Sequence, residues 1–302
     1  MIKIGIDTGG TFTDLVVLDD ETGEIRTVKV PSTPEEPALA PLQAVKESGA
    51  PPAAVDRIVL GTTIATNAGL QKRGATVLYV GTMGFEDVPI IGRIDRKEAY
   101  NPAWPKPDSG VRRRNVFGIA ERVDHKGNVL TPLAESELAR LGDWIDTKLG
   151  GDPAGDWAVA VNLLFSYVHP DHEAMIGAYL GERFSDLPVS LSSRVSPTWR
   201  EYERGTTTIV DASIKRLMAQ FTARLSNDLR ATGVTAQLTL MKSNGGHADA
   251  ATAAGDAAAA RKAVVEDGAD VNAGVFNWDG TIGATLDDYT GTMRGFYTAA
   301  YL

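Results

Sequence analysis

The sequence contains no cysteine, so disulfide bonds, thiolate nucleophiles and cysteine-type zinc sites are excluded. This absence also fits a cytoplasmic location. Histidine is scarce, with 4 among 302 residues, and none stands in a pattern typical of a nucleophile–histidine–carboxylate hydrolase. No apolar run reaches the roughly 18 residues of a membrane span, and no basic segment precedes an apolar core at the N-terminus. We therefore expect neither a membrane helix nor a secretory signal.

Positively charged residues are fewer than negatively charged ones. The sequence has 30 Lys and Arg residues and 39 Asp and Glu residues, which gives a net charge of −9. This balance argues against general nucleic-acid binding. The clearest basic cluster, at residues 112–114, is predicted to be a solvated loop rather than a phosphate site. An apolar content of 43% and a charged content of 23% are typical of a globular protein, and 302 residues favour about two domains.

Two apolar runs near the N-terminus flank a polar turn, which predicts a strand, a tight loop and a second strand. Glycines in such a loop let backbone N–H groups approach an anion, because no Cβ stands in the way. Threonine hydroxyls are further donors, and carboxylates can hold Mg²⁺ directly or through water. We interpret the turn as a nucleotide phosphate site. The residues assigned to it are Asp7, Thr8, Gly9, Gly10, Thr11, Thr13 and Asp14.

An ordinary β-hairpin turn is the alternative for residues 7–14, since a Gly-Gly pair is common in hairpins. The loop does not match a P-loop, because no Gly-Lys-Ser/Thr follows and the strand leads into another strand. It does not match a dinucleotide-binding fingerprint either, since that motif opens a helix.

A second anion-binding feature is predicted at residues 61–63, where a buried strand over residues 57–61 runs into a helix ending near residue 72. Free N–H groups and the helix dipole favour an anion at a helix start. The alternative is an ordinary N-cap by Thr62 or Thr63. Asn67 lies one turn into this helix. A strand over residues 75–80 follows, and this strand–helix–strand unit predicts parallel pairing with a right-handed crossover.

The rest of the chain alternates between predicted strands and helices. Residues 85–132 are irregular and rich in proline, which is typical of a substrate loop or lid. Helices are predicted over residues 134–149, 170–184 and 200–232, and strands over 157–165, 189–192 and 237–241. His169 and His172 have a spacing compatible with metal binding, but the start of a surface helix is the favoured alternative. Residues 200–204 and the polar loop at 243–246 each fit a ligand contact or an ordinary turn.

Six segments in order carry a family resemblance. They are residues 7–14 (DTGGTFTD), 61–68 (GTTIATNA), 84–88 (GFEDV), 163–167 (LLFSY), 200–204 (REYER) and 241–246 (MKSNGG). Together they closely resemble the N-terminal part of the hydantoinase A/5-oxoprolinase family over about residues 1–246.

This resemblance implies an α/β protein with an actin/hexokinase-like (ribonuclease H-like) ATPase fold. It implies ATP and Mg²⁺ as cofactors and phosphoryl transfer from ATP to a carbonyl or enol oxygen. The activity expected is ATP-dependent hydrolysis of a cyclic amide of the hydantoin or 5-oxoproline type. A subunit of the acetone or acetophenone carboxylase type, acting on a ketone, and an inactive nucleotide-binding fragment are the alternatives. A hydantoinase B-type subunit is the expected partner.

The resemblance also implies roles for individual residues. Asp7 and Asp14 would serve Mg²⁺ and catalysis, and residues 8–13 would surround the β- and γ-phosphates. Arg200 and Glu201, together with Arg204, would contact the substrate or close a cleft. The further nucleotide-binding residues are Thr62, Thr63, Asn67, Asn244, Gly245 and Gly246.

The sequence departs from the family after residue 246, because the second Asp-x-Gly-Gly-Thr-x-x-Asp loop of the family is not found. We therefore expect one complete half of the ATPase fold and the start of the second half. The predicted domains are residues 1–190, the hydantoinase/oxoprolinase N-terminal domain, and 191–246, the start of the central domain. Residues 247–302 would form an atypical alanine-rich tail.

Overall fold

The structure is a computed structural model, and it describes residues 1–93, 98, 100–103, 108–241 and 246–250. The chain forms two compact units. The first contains Met1–Lys72 and the described residues from Arg216 onward, and the second contains Arg73–Lys215. The first unit is therefore built from two separate stretches of sequence.

Twelve strands and seven α-helices are formed by the described residues. The strands are β1 (Ile2–Thr8), β2 (Phe12–Asp19), β3 (Ile25–Pro31), β4 (Val55–Thr62), β5 (Thr76–Thr82), β6 (Val116–Ile119), β7 (Arg122–Val123), β8 (Val129–Thr131), β9 (Trp157–Asn162), β10 (Val189–Leu191), β11 (Gln237–Met241) and β12 (His247–Asp249). The helices are α1 (Leu39–Glu47), α2 (Ile64–Leu70), α3 (Val88–Ile91), α4 (Glu135–Gly151), α5 (Asp171–Arg183), α6 (Ser192–Val195) and α7 (Glu201–Ala231).

The first unit is organised around a six-stranded sheet in the order β12-β11-β4-β1-β2-β3. Strands β1, β4 and β11 are parallel, whereas β2 is antiparallel to both β1 and β3. Side chains alternate along β1, so that Ile2, Ile4 and Ile6 are buried while Lys3 and Asp7 are exposed. The buried side chains pack against α1 and the C-terminal half of α7. This alternation places Lys3 and Asp7 on the opposite face of the sheet.

The second unit contains a four-stranded, entirely parallel sheet in the order β10-β9-β5-β6. Strand β5 is buried over Val77–Thr82 on both faces, as the strands of parallel sheets covered by helices usually are. Leu78 and Val80 belong to one apolar cluster with α4 and α5. Val77 and Tyr79 belong to another, which includes Ile209 of α7. Helices therefore cover both faces of this sheet.

The predicted parallel pairing of the strands at 57–61 and 75–80 is wrong. Strand β4 pairs with β1 on one side and with β11 on the other, so no edge of it remains for β5. Strand β5 instead lies between β6 and β9 in the second sheet. The segment at 85–132 is also more regular than expected, because residues 116–119 form β6 inside it. Most other predicted elements are confirmed, including the long helix, which is α7.

None of the helices in the described part of the chain is long and apolar enough to cross a membrane.

The inner face of the first sheet sets the stability of that unit. Ile58 is completely buried in β4, between β1 and β11. We expect Ile58→Ala to lower the free energy of unfolding by about 2–5 kcal/mol, since it removes buried methyl groups and leaves a cavity. Denaturant unfolding followed by circular dichroism measures this. Val16→Ala, on the exposed face of β2, is the control and should change stability by less than about 0.5 kcal/mol. Equal losses in both variants would contradict the assignment of the core.

Candidate functional site

The loop between β1 and β2 consists of Gly9, Gly10 and Thr11. Gly9 donates its N–H to the Phe12 carbonyl oxygen at 3.1 Å, and a Cβ on Gly9 would lie 3.2 Å from that same oxygen. The N–H groups of Gly10 and Thr11 donate to no acceptor within the described ranges. Both residues are exposed. Among the described residues, the loop therefore presents two unpaired backbone donors to solvent, as an anion site requires.

The threonines predicted to bind phosphate occupy different environments. Thr8 is buried, and its hydroxyl has no hydrogen-bond partner among the residues that the structure describes. Thr11 is exposed. Thr13 is completely buried, and its hydroxyl oxygen lies 3.0 Å from that of Ser32. The Thr13 hydroxyl is thus hydrogen-bonded to the Ser32 hydroxyl. The Thr8 hydroxyl, next to the loop, has no hydrogen-bond partner among the described residues.

Asp7 and Asp14 are direct cross-strand partners on the exposed face of the β1–β2 pair. Lys29 of β3 lies 2.8 Å from an oxygen of Asp14 and offsets its charge. Asp7 has no ion-pair partner in the described part of the molecule. Partial desolvation raises the pKa of the Asp7 carboxyl, and the negative charge of Asp14 raises it further. Two facing carboxylates with a single cation beside them are well suited to accept a divalent metal ion.

The segment after β4 borders Asp7. Gly61 is the parallel neighbour of Asp7, and a Cβ on Gly61 would lie 3.5 Å from the Asp7 Oδ1 atom. The Thr62 hydroxyl accepts the Ile64 N–H at 3.2 Å, and Thr63 is the N-cap residue of α2 but makes no side-chain capping hydrogen bond. Asn67 donates from Nδ2 to the Thr63 hydroxyl at 3.2 Å. The structure thus brings this predicted segment next to Asp7 and the phosphate loop, and the alternative of a side-chain N-cap by Thr62 or Thr63 is not found at α2.

Other predicted site residues lie elsewhere. Asn244 and Gly245 are outside the described residues, and Gly246 precedes β12 of the first unit. Arg200 and Glu201 lie in the second unit, at the start of α7, and both are exposed. Arg200 has a left-handed backbone with φ of 74°, and its guanidinium lies 4.3 Å from the centre of the Trp199 ring.

Arg204 is completely buried in the second unit rather than exposed to a ligand. Its guanidinium donates to the carbonyl oxygens of Leu163 at 2.7 Å and Thr198 at 2.9 Å, and to the Ser192 hydroxyl at 3.1 Å. The Ser192 hydroxyl in turn donates to Glu173 at 2.6 Å. Burial lowers the pKa of Arg204, and the nearby carboxylate of Glu173 opposes this effect. Arg204 therefore ties α7 to the end of β9 and to α6.

Sequence reasoning missed two buried carboxylates of the second unit. Glu173 accepts the backbone N–H of Leu163 at 2.9 Å in addition to the Ser192 hydroxyl. Glu121 accepts the Thr82 hydroxyl and lies 2.8 Å from the His172 Nδ1 atom. No signal in the sequence marked either glutamate, because their partners are distant along the chain.

The hypothesis of a metal site at His169 and His172 gains no support from this geometry. His172 is buried at the start of α5 against Glu121. No group of three potential metal-ligating side chains occurs in the part of the chain that the structure describes.

Asn162, at the end of β9, connects the second sheet to α7. Its Nδ2 atom donates to the Tyr79 hydroxyl at 2.8 Å and to the Glu201 carbonyl oxygen at 2.9 Å, while its buried Oδ1 atom has no partner in the described part of the chain. Burial raises the pKa of Tyr79 to about 12. The backbone of Glu201 is therefore fixed to the sheet, although its side chain is exposed.

The sequence matches two models of a known protein family. Residues 3–184 match the model of the hydantoinase/oxoprolinase N-terminal region, and residues 204–262 match the hydantoinase/oxoprolinase model that follows it. The chain belongs to the hydantoinase/oxoprolinase family. The resemblance of the six ordered segments is thereby confirmed.

Characterised members of the hydantoinase/oxoprolinase family are similar over most of the chain. The acetophenone carboxylase gamma subunit of Aromatoleum aromaticum is 32% identical over 82% of this chain and 36% of its own length. Caprolactamase subunit alpha of Pseudomonas jessenii is 31% identical over 81% of this chain and 36% of its own. The chain thus spans about a third of the length of these relatives.

Solved structures confirm the fold class. The ATP-dependent caprolactamase from Pseudomonas jessenii matches with a TM-score of 0.69 and 30% identity, over 82% of this chain and 36% of its own. Nucleotide-free acetone carboxylase matches with a TM-score of 0.73 over 85% of this chain and 38% of its own, at 23% identity, and shows the fold alone. The α/β, actin/hexokinase-like ATPase fold expected from the sequence is therefore confirmed for this hydantoinase/oxoprolinase family member.

The like charges of Asp7 and Asp14 should make the stability of the folded chain depend on pH. Asp7→Asn should stabilise the chain by roughly 0.2–1 kcal/mol at pH 7, because it removes a like-charge cross-strand pair. The pKa of Asp7 is raised in the folded state, so ionisation of Asp7 disfavours folding as pH rises through that pKa. The advantage of the variant should therefore vanish below the ordinary aspartate range, near pH 3. Thermal unfolding at the two pH values without Mg²⁺ measures this, and an Asp7→Asn variant that is less stable than the unaltered chain at pH 7 contradicts it.

Two arginines near the start of α7 give a matched pair of variants. Arg204→Ala should cost about 3–5 kcal/mol, because it leaves the buried Leu163 carbonyl oxygen without its donor and removes the positive charge near buried Glu173. Arg200→Ala removes an exposed side chain and should change stability by less than about 0.5 kcal/mol. Urea unfolding measures both. A small effect of Arg204→Ala would show that its buried network contributes little to stability.

Proposed function

We propose that this chain is the nucleotide-binding part of an ATP-dependent enzyme that opens cyclic amides of the hydantoin or 5-oxoproline type. The observation that carries the proposal is the pair of unpaired N–H groups of Gly10 and Thr11 next to the facing carboxylates of Asp7 and Asp14. The similarity to an ATP-dependent caprolactamase supports it at the level of substrate chemistry.

The residues of the first unit fit a magnesium nucleotide. The N–H groups of Gly10 and Thr11 and the free hydroxyl of Thr8 are donors for phosphate oxygens. Asp7 would hold Mg²⁺ together with those oxygens, since Mg²⁺ commonly takes one or two carboxylates and completes its octahedron with phosphate and water. Asp14, which is paired with Lys29, would support the metal or orient the loop.

The proposed chemistry explains why a lactam needs ATP. Amide resonance makes the lactam carbon a poor electrophile. When the carbonyl oxygen forms a bond to the γ-phosphorus of ATP, the bond from that phosphorus to ADP breaks and amide resonance is lost. Water then attacks the activated carbon and the ring C–N bond breaks, which leaves a free amine and an acyl phosphate. A second water hydrolyses the acyl phosphate to a carboxylate and inorganic phosphate. Backbone donors and Mg²⁺ around the phosphates would offset the charge that develops during transfer.

A second candidate function is that of a ketone carboxylase subunit, in which a ketone oxygen accepts the phosphoryl group. The 32% identity to an acetophenone carboxylase gamma subunit favours it. The relatives are subunits designated alpha, beta or gamma, which supports a partner subunit of the hydantoinase B type. Because the chain spans about a third of its relatives, a nucleotide-binding piece without turnover is the third candidate.

Phosphate release tests these candidates directly. The full chain is incubated with Mg·ATP and with hydantoin, 5-oxoproline, ε-caprolactam, or acetophenone together with bicarbonate, each with and without a hydantoinase B-type subunit. We expect a cyclic amide to stimulate phosphate release in the presence of the partner, and Asp7→Asn to abolish it.

Each alternative gives a different result. Stimulation by acetophenone and bicarbonate alone would favour the carboxylase function. Mg·ATP binding without stimulated release in any mixture would favour the nucleotide-binding piece and overturn the catalytic proposal. An Asp7→Asn chain that binds Mg·ATP as tightly as the unaltered chain, by calorimetry, would contradict the role of this loop.

A further inference from the structure

Ser32 lies just beyond the end of β3, outside the segments that define the family resemblance, and contacts the phosphate loop at two points and the start of β2 at a third. Its hydroxyl donates to the Gly9 carbonyl oxygen at 2.7 Å, and its N–H donates to the Thr11 carbonyl oxygen at 2.9 Å. Its hydroxyl oxygen also lies 3.0 Å from that of Thr13. Within the described residues, the other hydrogen bond of the loop backbone is the one from Gly9 to Phe12.

The bond to the Gly9 carbonyl fixes the direction of one N–H group. A trans peptide is planar, and its C=O and N–H groups point in opposite directions. The Gly9 carbonyl and the Gly10 N–H belong to the same peptide. While Ser32 holds that carbonyl, the Gly10 N–H must point away from Ser32, where it meets no acceptor in the described structure.

This peptide is also the one in the loop that rotates most easily, because glycine stands on both sides of it. A Cβ on Gly10 would meet nothing within 4 Å, so the surroundings do not restrain it sterically. Rotation by half a turn would replace the Gly10 N–H with the Gly9 carbonyl, which repels an anion. A hydrogen bond to the carbonyl is therefore the restraint that keeps the donor in place.

We propose that Ser32 is a positioning residue for phosphate binding. Its hydroxyl holds the Gly9–Gly10 peptide with the N–H group toward the phosphates, while the residue itself does not contact the nucleotide. The inference rests on the proposed function, since it concerns the same phosphate loop.

The test compares Ser32→Ala with two matched variants in the full chain. Ser32→Ala removes the hydroxyl and keeps the backbone N–H bond to Thr11. Ser32→Thr keeps a hydroxyl at the same place. Thr33→Ala removes the neighbouring hydroxyl, which donates to the Glu36 carbonyl at 2.7 Å and does not touch the loop. Calorimetry measures binding of Mg·ATP, Mg·tripolyphosphate and adenosine to each variant.

We expect Ser32→Ala to weaken Mg·ATP and Mg·tripolyphosphate by roughly threefold to tenfold, the range of one neutral hydrogen bond. Adenosine binding should be unchanged, since adenosine has no phosphate. Ser32→Thr should restore binding of the phosphates, and Thr33→Ala should have no effect on them. A role in stability alone would move adenosine and the phosphates together.

A second readout follows the loop itself. In a chain labelled with ¹⁵N-glycine, Mg·tripolyphosphate should shift the Gly10 amide resonance strongly in the unaltered protein and weakly in Ser32→Ala. Equal phosphate affinity and an equal Gly10 shift in Ser32→Ala would overturn the inference and leave the proposed function intact. Failure of the unaltered chain to bind either phosphate ligand would instead overturn the proposed function.

Discussion

The hydrogen-bond pairing of β1 with its two neighbours is the constraint on which the site of the first unit depends. The antiparallel register with β2 places Asp7 opposite Asp14, and the parallel register with β4 places Gly61 on the other side of Asp7. The apolar alternation of Ile2, Ile4 and Ile6 fixes which face of β1 is buried. A shift of one residue would turn Asp7 into the core. The position of the carboxylates therefore follows from the burial of isoleucine side chains.

The two units differ in how completely their polar groups are hydrogen-bonded. In the first unit, the loop leaves N–H groups and the Thr8 hydroxyl unpaired, and two carboxylates face each other. In the second unit, the buried charges of Arg204 and Glu173 are held by several hydrogen bonds, and only Asn162 Oδ1 stands out as an unpaired acceptor among the described residues. Unpaired groups cost stability in the free protein and are expected where a ligand completes the set.

Features that depend on residues close together in the chain could be predicted from the sequence. The phosphate loop, the strands beside it and the long helix could be recognised because glycine, alternation and helical periodicity act over a few positions. The place of β5 could not, since it depends on β11 occupying the edge of β4, more than a hundred residues away. Residues 200–204 fitted either a ligand contact or an ordinary turn, whereas the burial of Arg204 depends on carbonyl groups of other segments. Ser32 was missed for the same reason: its partners lie across two strands.

The division of the first unit into two stretches has a consequence for synthesis on the ribosome. The second unit is continuous over Arg73–Lys215, so all of its strands are available before β11 is made. Domains generally fold as units, and the N-terminal ones do so first during synthesis. The sheet of the first unit cannot be completed at that stage. Its strand β4 pairs with β11, and β11 is made only when Gln237–Met241 emerges from the ribosome. Until then the unpaired edge of β4 is a template for other strands. The early folding of Arg73–Lys215 brings the ends of that segment together, as the hydrogen bond from the Ala75 N–H to the Ser213 carbonyl shows, so that β11 has a shorter loop to close once it is made.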